Sequence, residues 1–84
     1  MDKVFSKEIL GKIILSKTGK KFGEVGDLIF EEKSGELISI VVDSPTPNCD
    51  KLSLDKDAKG RLLLTFSSVI AVGDYVVVSE EDLL

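Results

Sequence analysis

No histidine occurs anywhere in these 84 residues, and cysteine occurs once. Without an imidazole there is no histidine general base, and the familiar Cys–His and Ser–His nucleophile pairs are excluded. Cys49 has no partner for a disulfide within the chain, and nothing nearby of the kind that activates a thiolate. A lone cysteine suits a reducing compartment. Long apolar runs are also missing. The opening "MDKVFSKEIL" is charged and lacks the apolar core of a secretion signal. No stretch approaches the roughly 20 apolar residues that a membrane-crossing helix requires. The expectation is a soluble cytoplasmic protein without direct membrane insertion.

Positive charge is in deficit. Eleven Lys and Arg stand against fifteen Asp and Glu, a net charge of −4. Lys20, Lys21, Lys56, Lys59 and Arg61 come in small groups with acids between them. A phosphate-binding face needs clustered cations, so no nucleic-acid partner is expected. An acidic chain more often meets proteins, or is kept soluble by its charge. The length allows one domain, residues 1–84, and a domain of this size buries only roughly 60% of its unfolded surface.

What is present is β-forming. Val and Ile are plentiful, and Gly, Asp, Asn and Ser punctuate the chain at short intervals, the pattern of a small all-β domain. Phe5, Ile9 and Leu10 form a short helical or extended lead-in. Residues 12–16 read as a strand and "KTGKKFG" as a turn. In "FGEVGDLIFEE" the alternation slips between Val25 and the pair Leu28 and Phe30. A bulge at Gly26 and Asp27 restores all three to one face, and a strand buried on both faces is the competing reading. "EEKSGELISIVVD" is a hairpin followed by a third strand, with Ile38, Ile40 and Val42 on one face and Leu37, Ser39, Val41 and Asp43 on the other. "SPTPNCD" is a loop, because its prolines cannot sit inside a ladder. Residues 51–54 are a possible short strand, "DKDAKGR" a turn, and Leu62, Leu64 and Phe66 alternate on a fifth strand. Residues 66–70 leave the sheet in a short helical turn that Ser67 or Ser68 could cap. Gly73 and Asp74 turn the chain into a last strand over 75–79, and "EEDLL" reads as a frayed acidic tail.

Motifs for chemistry are weak. "DKDAKGRLLLTF" starts like a calcium loop, with Gly at its sixth position, but Phe66 stands where the bidentate Glu belongs. A solvated turn is the better reading. "GKKFGEVG" lacks the spacing and the following helix of a phosphate loop. Glu24, Asp27, Glu31, Glu32 and Glu36 supply carboxylates without singling out a catalytic pair. No catalytic residue, metal ligand or cofactor-binding residue is expected, and the chain reads as no enzyme.

Two stretches nevertheless resemble a known family. "LGKIILSKTGKKFGEVGDLIFEEKSGELISIVV" is similar to the opening of the PRC-barrel domain. Gly11 and Lys12 precede the first strand, Gly19 lies in the turn, and Gly23 to Asp27 form the Gly-x-Val-x-Asp strand. Ser34, Gly35 and Glu36 mark the acidic hairpin. "GRLLLTFSSVIAVGDYVVV" resembles the ending of short archaeal members, with Thr65 where those carry Pro. The resemblance implies a small, strongly bent antiparallel β-barrel without catalytic activity. It implies an adaptor, since family members serve as modules in a ribosome maturation factor and in the photosynthetic reaction centre H subunit. This sequence shows neither attached segment. The stand-alone archaeal members it resembles are cell-division proteins that dimerise and bind a SepF-type membrane anchor. The alternative is an RNA-processing or ribosome-maturation adaptor that binds a ribosomal protein.

The expected barrel has about six strands, with Ile13, Val25, Leu28, Phe30, Ile38, Ile40, Val42, Leu62, Leu64, Phe66, Val69, Val76 and Val78 mostly inward. The apolar outward residues Leu37, Val41, Leu63, Tyr75 and Val77 are the expected self-association surface, with the closing strand as an open edge. The acidic hairpin, with Glu31, Glu32, Lys33 and Glu36, is left for a heterologous partner.

Overall fold

The computed structural model describes residues 8–84. Among these, seven strands form one sheet: β1 (Ile13–Ser16), β2 (Lys21–Phe30), β3 (Leu37–Asp43), β4 (Asp55–Lys56), β5 (Leu62–Thr65), β6 (Val69–Val72) and β7 (Val76–Val78). Their order across the sheet is β4-β5-β3-β2-β1-β7-β6. The all-β architecture expected from the alternation is present, as is the strong bend that the family resemblance implies, with two differences. The sheet is mixed, because β1 and β7 run parallel. It is also not closed by a ladder, since β4 and β6 remain its edges.

The two ends of the sheet are nonetheless held together by the chain itself. β5 passes into β6 through a single 3₁₀ turn, Phe66–Ser68. This is the helical turn expected near 66–70, shortened because 69–72 go on as strand. Neither Ser67 nor Ser68 caps it: Ser68, fully buried, donates its hydroxyl to the Thr65 carbonyl at 2.6 Å. The Ser68 carbonyl in turn accepts from the Ser79 amide at 2.8 Å. The strand expected over 51–54 is absent: Lys51 ends a 3₁₀ turn, Pro47–Lys51, with Thr46 as its cap, residues 52–54 are irregular, and pairing starts only at Asp55. Proline suits that first turn, where its missing N–H costs nothing. The tail is not frayed either. A third 3₁₀ turn, Glu81–Leu83, buries Leu83, and the Leu83 carbonyl accepts from the Ser53 amide at 2.7 Å. The acidic residues of this tail face water while one leucine anchors it.

The bend resides in β2. Its first part pairs with β1 (Ile13 opposite Glu24, Ile14 opposite Gly23), and its remainder pairs with β3 as far as Phe30 opposite Leu37. Two glycines make the turn from one partner to the other possible. A Cβ at Gly23, whose φ is 151°, would stand 2.7 Å from the Asp43 carbonyl oxygen and 2.7 Å from Val42 Cγ1, and one at Gly26 would stand 2.8 Å from the Asp43 Cβ. The register slips between Val25 and Asp27, which is the bulge that the alternation called for. It puts Val25 level with Val42 and Leu28 level with Ile40 on the core side.

The core comprises Ile9, Ile14, Phe22, Val25, Leu37, Ile40, Val42, Cys49, Leu64, Val76, Val78 and Leu83. Leu28, Leu62, Phe66 and Val69 pack against it half-buried. Of the residues expected inward, three are displaced. Ile13 lies outside the core, because β1 presents Ile14 and Ser16 inward and Ile13 and Leu15 outward. Ile38 is 45% exposed and Phe30 41% exposed. A second register slip, between Ile29 and Phe30, leaves Ile38 as the extra residue of β3, so Leu37 turns into the core and Ile38 turns out. Phe5 of the expected lead-in lies outside the described residues, whereas Ile9 is fully buried and Leu10 exposed.

Gly23→Ala is expected to destabilise the protein by about 2–4 kcal/mol, because the methyl group meets backbone that cannot move aside. Gly73→Ala, where a Cβ meets nothing within 4 Å, should change stability by less than about 0.5 kcal/mol. Urea denaturation of both variants checks this: equal losses would show that the β2 bend does not depend on the missing side chain.

Candidate functional site

Among the described residues, titratable groups meet as ion pairs at the surface. No group of three or more Cys, Asp or Glu gathers among those residues as a metal would require. Cys49 is buried, and its thiol donates to the Phe22 carbonyl at 3.1 Å. Burial pushes its pKa above the ordinary 9.0, and the nearby Asp50 carboxylate adds to the rise. A thiol held protonated in this way is a packing group rather than a nucleophile.

The turn between β4 and β5 is held by its own side chains. The Asp57 carboxylate accepts from the Lys59 amide at 3.0 Å, the Arg61 amide at 2.8 Å and Arg61 Nε at 2.6 Å. These bonds, the Arg61 amide foremost, hold its pKa below the ordinary 3.8. Arg61 also reaches Asp27 at 3.7 Å, so its guanidinium spans from β5 over β3 to β2. No described helix is long and apolar enough to cross a membrane.

The five residues expected on one self-association face are not on one face. Leu37 and Val41 are buried, 7% and 3% exposed. Leu37 belongs to the core through the Ile38 bulge. Val41 is on the opposite side of β3, hemmed between Asp27 and Leu63 in register. Leu63 is half-buried on β5, four strand positions away from β7. Tyr75 and Val77 do lie together, Tyr75 48% exposed and Val77 half-buried. β7 is not the open edge, however. It sits between β1 and β6, and β6 is the edge.

Around Tyr75 and Val77 the structure assembles a different apolar face. Leu15, Val77 and Ala71 stand level across β1, β7 and β6. Ile13 precedes Leu15 by two residues, which places it on the same face of β1. Ile70, at a bulge in β6 where the register slips between Val69 and Ala71, is 51% exposed. None of Ile13, Leu15 and Val77 packs against the core. Glu24, level with Ile13, and Lys21, level with Leu15, border this face on β2. Sequence reasoning missed Ile13, Leu15 and Ile70 because Ile13-Ile14-Leu15 and Val69-Ile70-Ala71-Val72 are apolar at both parities.

The hairpin between β2 and β3, the second expected surface, stands out from the sheet. Residues 31–36, including Glu31, Glu32, Lys33 and Glu36, are all exposed. Phe30 and Ile38, expected in the core, stand exposed at its base.

Stability should fall as pH rises past 9.0, where the unfolded chain gives up the thiol proton that buried Cys49 retains. The stability gap between the protein and a Cys49→Ala variant is therefore expected to narrow above that pH in urea titrations. A gap that widens would contradict a raised thiol pKa.

Comparison with known proteins agrees with this architecture. The chain is similar to MJ1118, an uncharacterized protein of Methanocaldococcus jannaschii, with 28% identity over 83 residues, covering 99% of this chain and 89% of the relative. The model of the PRC-barrel domain matches residues 1–84. Members of that family are generally non-catalytic, and the domain is of a small interaction type. With the match spanning the whole sequence, the chain belongs to the PRC-barrel domain family.

Proposed function

We propose that the protein is a non-catalytic adaptor that self-associates as a homodimer and holds a protein partner, in archaeal cell division, with a SepF-type membrane anchor as that partner. The observation that carries this reading is the apolar outer face of β1, β7 and β6. Ile13, Leu15, Val77, Ala71 and Ile70 would be polar on strands that faced only water, and exposed Tyr75 stands just before β7. A contiguous apolar face of this kind marks a contact site. Its borders carry both signs of charge, Lys21 and Glu24, so that two copies related by a twofold axis can set a cation of one against an anion of the other. Its outer limit is β6, a four-residue edge without charge or proline, the kind of edge that other chains pair with. The opposite edge, β4, is two residues long and charged, which discourages such pairing.

The cell-division assignment rests on the resemblance to short archaeal members and stands or falls by the partner. A ribosome-assembly role would call for a basic face, and the net charge of −4 disfavours it.

Sedimentation equilibrium should find a dimer, and Ile70→Glu together with Tyr75→Glu should shift it to monomer without loss of the β-type far-UV spectrum. A monomer at every concentration up to the millimolar range removes the dimer. Affinity capture of the tagged protein from its native cells should recover a SepF-type protein. Recovery of ribosomal proteins instead would replace the division reading with the ribosomal one.

A further inference from the structure

Two segments meet over the gap between the edges of the sheet, residues 52–54 and the C-terminal turn Glu81–Leu83. Residues 52–54 are irregular and are held firmly only on either side. Before them, the 3₁₀ turn Pro47–Lys51 is anchored to β2. Thr46 Oγ1 and Asn48 Nδ2 both donate to the Lys21 carbonyl, and the Cys49 thiol donates to that of Phe22. After them, the turn that follows β4 is anchored to β5, where the Asp57 amide donates to the Arg61 carbonyl at 3.0 Å. The C-terminal turn is anchored at its start, through the Ser79 amide and the Ser68 carbonyl. Between the two segments, one hydrogen bond passes among the described residues, from the Ser53 amide to the Leu83 carbonyl. The turn's other bonds are internal, Asp82 to Ser79 and Leu83 to Glu80, apart from the surface ion pair of Glu80 with Lys20. An ion pair of that kind contributes little.

Open space borders both segments. A cavity of about 380 Å³ lies against Cys49, Leu52, Leu54 and Leu62. Another of about 140 Å³ separates Ser16 and Thr18 from Ser79, Glu81 and Leu84. Side chains with a void on one flank forfeit contacts there, and Leu52 and Leu54 are only half-buried. Regions with few backbone bonds and sparse apolar packing open at lower free energy than the middle of a sheet.

We propose that the C-terminal turn is a releasable strap across the seam. Leu83 leaves its seat in the core, the bond to Ser53 breaks, and residues 52–54 move aside between their two anchors while the sheet stays folded. Simple fraying of the end would stop short of Leu83, whose burial makes release a discrete step. Cys49, 6% exposed and walled in by Leu52 and Leu54, is what the opening uncovers. Anything that bound the vacated seat would draw the protein toward the open state. The device follows from the geometry of the seam and needs neither the dimer nor a partner.

The chain has one cysteine, so an aromatic disulfide reagent in excess, at fixed pH, reads the opening through the rate of thiol labelling. In the full-length protein this rate should barely change at low urea, because local opening exposes little surface. Leu83→Ala should be labelled at least about tenfold faster, since truncating a buried leucine removes most of what seats the strap. Ile40→Val weakens the centre of β3 and leaves the strap alone. It should be labelled at the wild-type rate, although urea denaturation finds it less stable. Hydrogen exchange of the unmodified protein gives a second readout. The Ser53 and Leu83 amides should exchange together, and faster than the Val25 amide, which is bonded to the Lys12 carbonyl at 2.9 Å. Three results would overturn the strap: labelling that tracks global stability in both variants, labelling unchanged by Leu83→Ala, or Ser53 and Leu83 amides as protected as that of Val25. Should Leu83→Ala fail to fold, the exchange measurement decides alone.

Discussion

The close approach of β2 to the end of β3 governs the fold. A ten-residue strand has to leave β1 and take up β3 within the span of Glu24, which pairs with Ile13 on one side and Asp43 on the other. Side chains at positions 23 and 26 would collide with Asp43 and Val42. Their absence lets the sheet coil tightly enough for Ile14 and Val25 to share one core with Leu64 and Val78. Everything downstream depends on that coil. It brings the ends of the sheet so near that three residues of 3₁₀ turn carry the chain from β5 to β6. It also sets the parallel pairing of β1 with β7, two strands far apart in sequence.

Coiling has a consequence at the seam. A ladder between β4 and β6 would complete a barrel, but here the gap is bridged by side chains and by single bonds. Leu83 enters the core from the C-terminal turn, and Ser53 bonds to its carbonyl. Polar atoms that this arrangement buries are accounted for. The hydroxyl of Ser68 bonds to Thr65, and that of Ser16 accepts from the Lys20 amide at 3.0 Å. No buried side-chain polar atom among the described residues lacks a partner. A seam closed by packing leaves β6 with one unpaired side, and so the molecule acquires an edge that a closed barrel would lack.

Much of this was legible in the sequence where polar and apolar residues alternate. Val25, Gly26, Asp27 and Leu28 announce their bulge, because only a slipped register puts Val25 and Leu28 on one face. The inward sets of β5 and β7 came out right although Leu62-Leu63-Leu64 and Val76-Val77-Val78 are apolar throughout, because these strands keep an unbroken two-residue period. Legibility failed where a bulge or an ambiguous parity falls in a mainly apolar run. In Leu37-Ile38-Ser39-Ile40-Val41-Val42 a bulge at Ile38 costs no visible break in pattern, so Leu37 and Ile38 exchanged roles unseen. The same holds for Ile13-Ile14-Leu15 and for Ile70. Strand β4 was hidden for another reason: Asp55 and Lys56 have little β-preference, and their pairing is imposed by Leu62 and Leu63 across the turn. The acidic hairpin was legible because Ser34-Gly35 and three glutamates make both a turn and a solvated surface. Its apolar base was not.

The bulges that defeat a parity reading are also those that set the surface. A strict alternation would have hidden Ile38 and left Ile70 as one more residue in the rise of β6. Instead each bulge spends one residue on the exterior. Distance then separates the two regions. Phe30 lies six residues along β2 from Glu24, the last residue that pairs with β1. At about 3.3 Å per residue this is a path of roughly 20 Å along the bent strand. One long bent strand thus carries the apolar face near its first half and the acidic hairpin at its far end. In the proposed adaptor, that spacing would let a second copy engage the apolar face without covering the hairpin, because one bent strand holds the two regions apart in fixed relation.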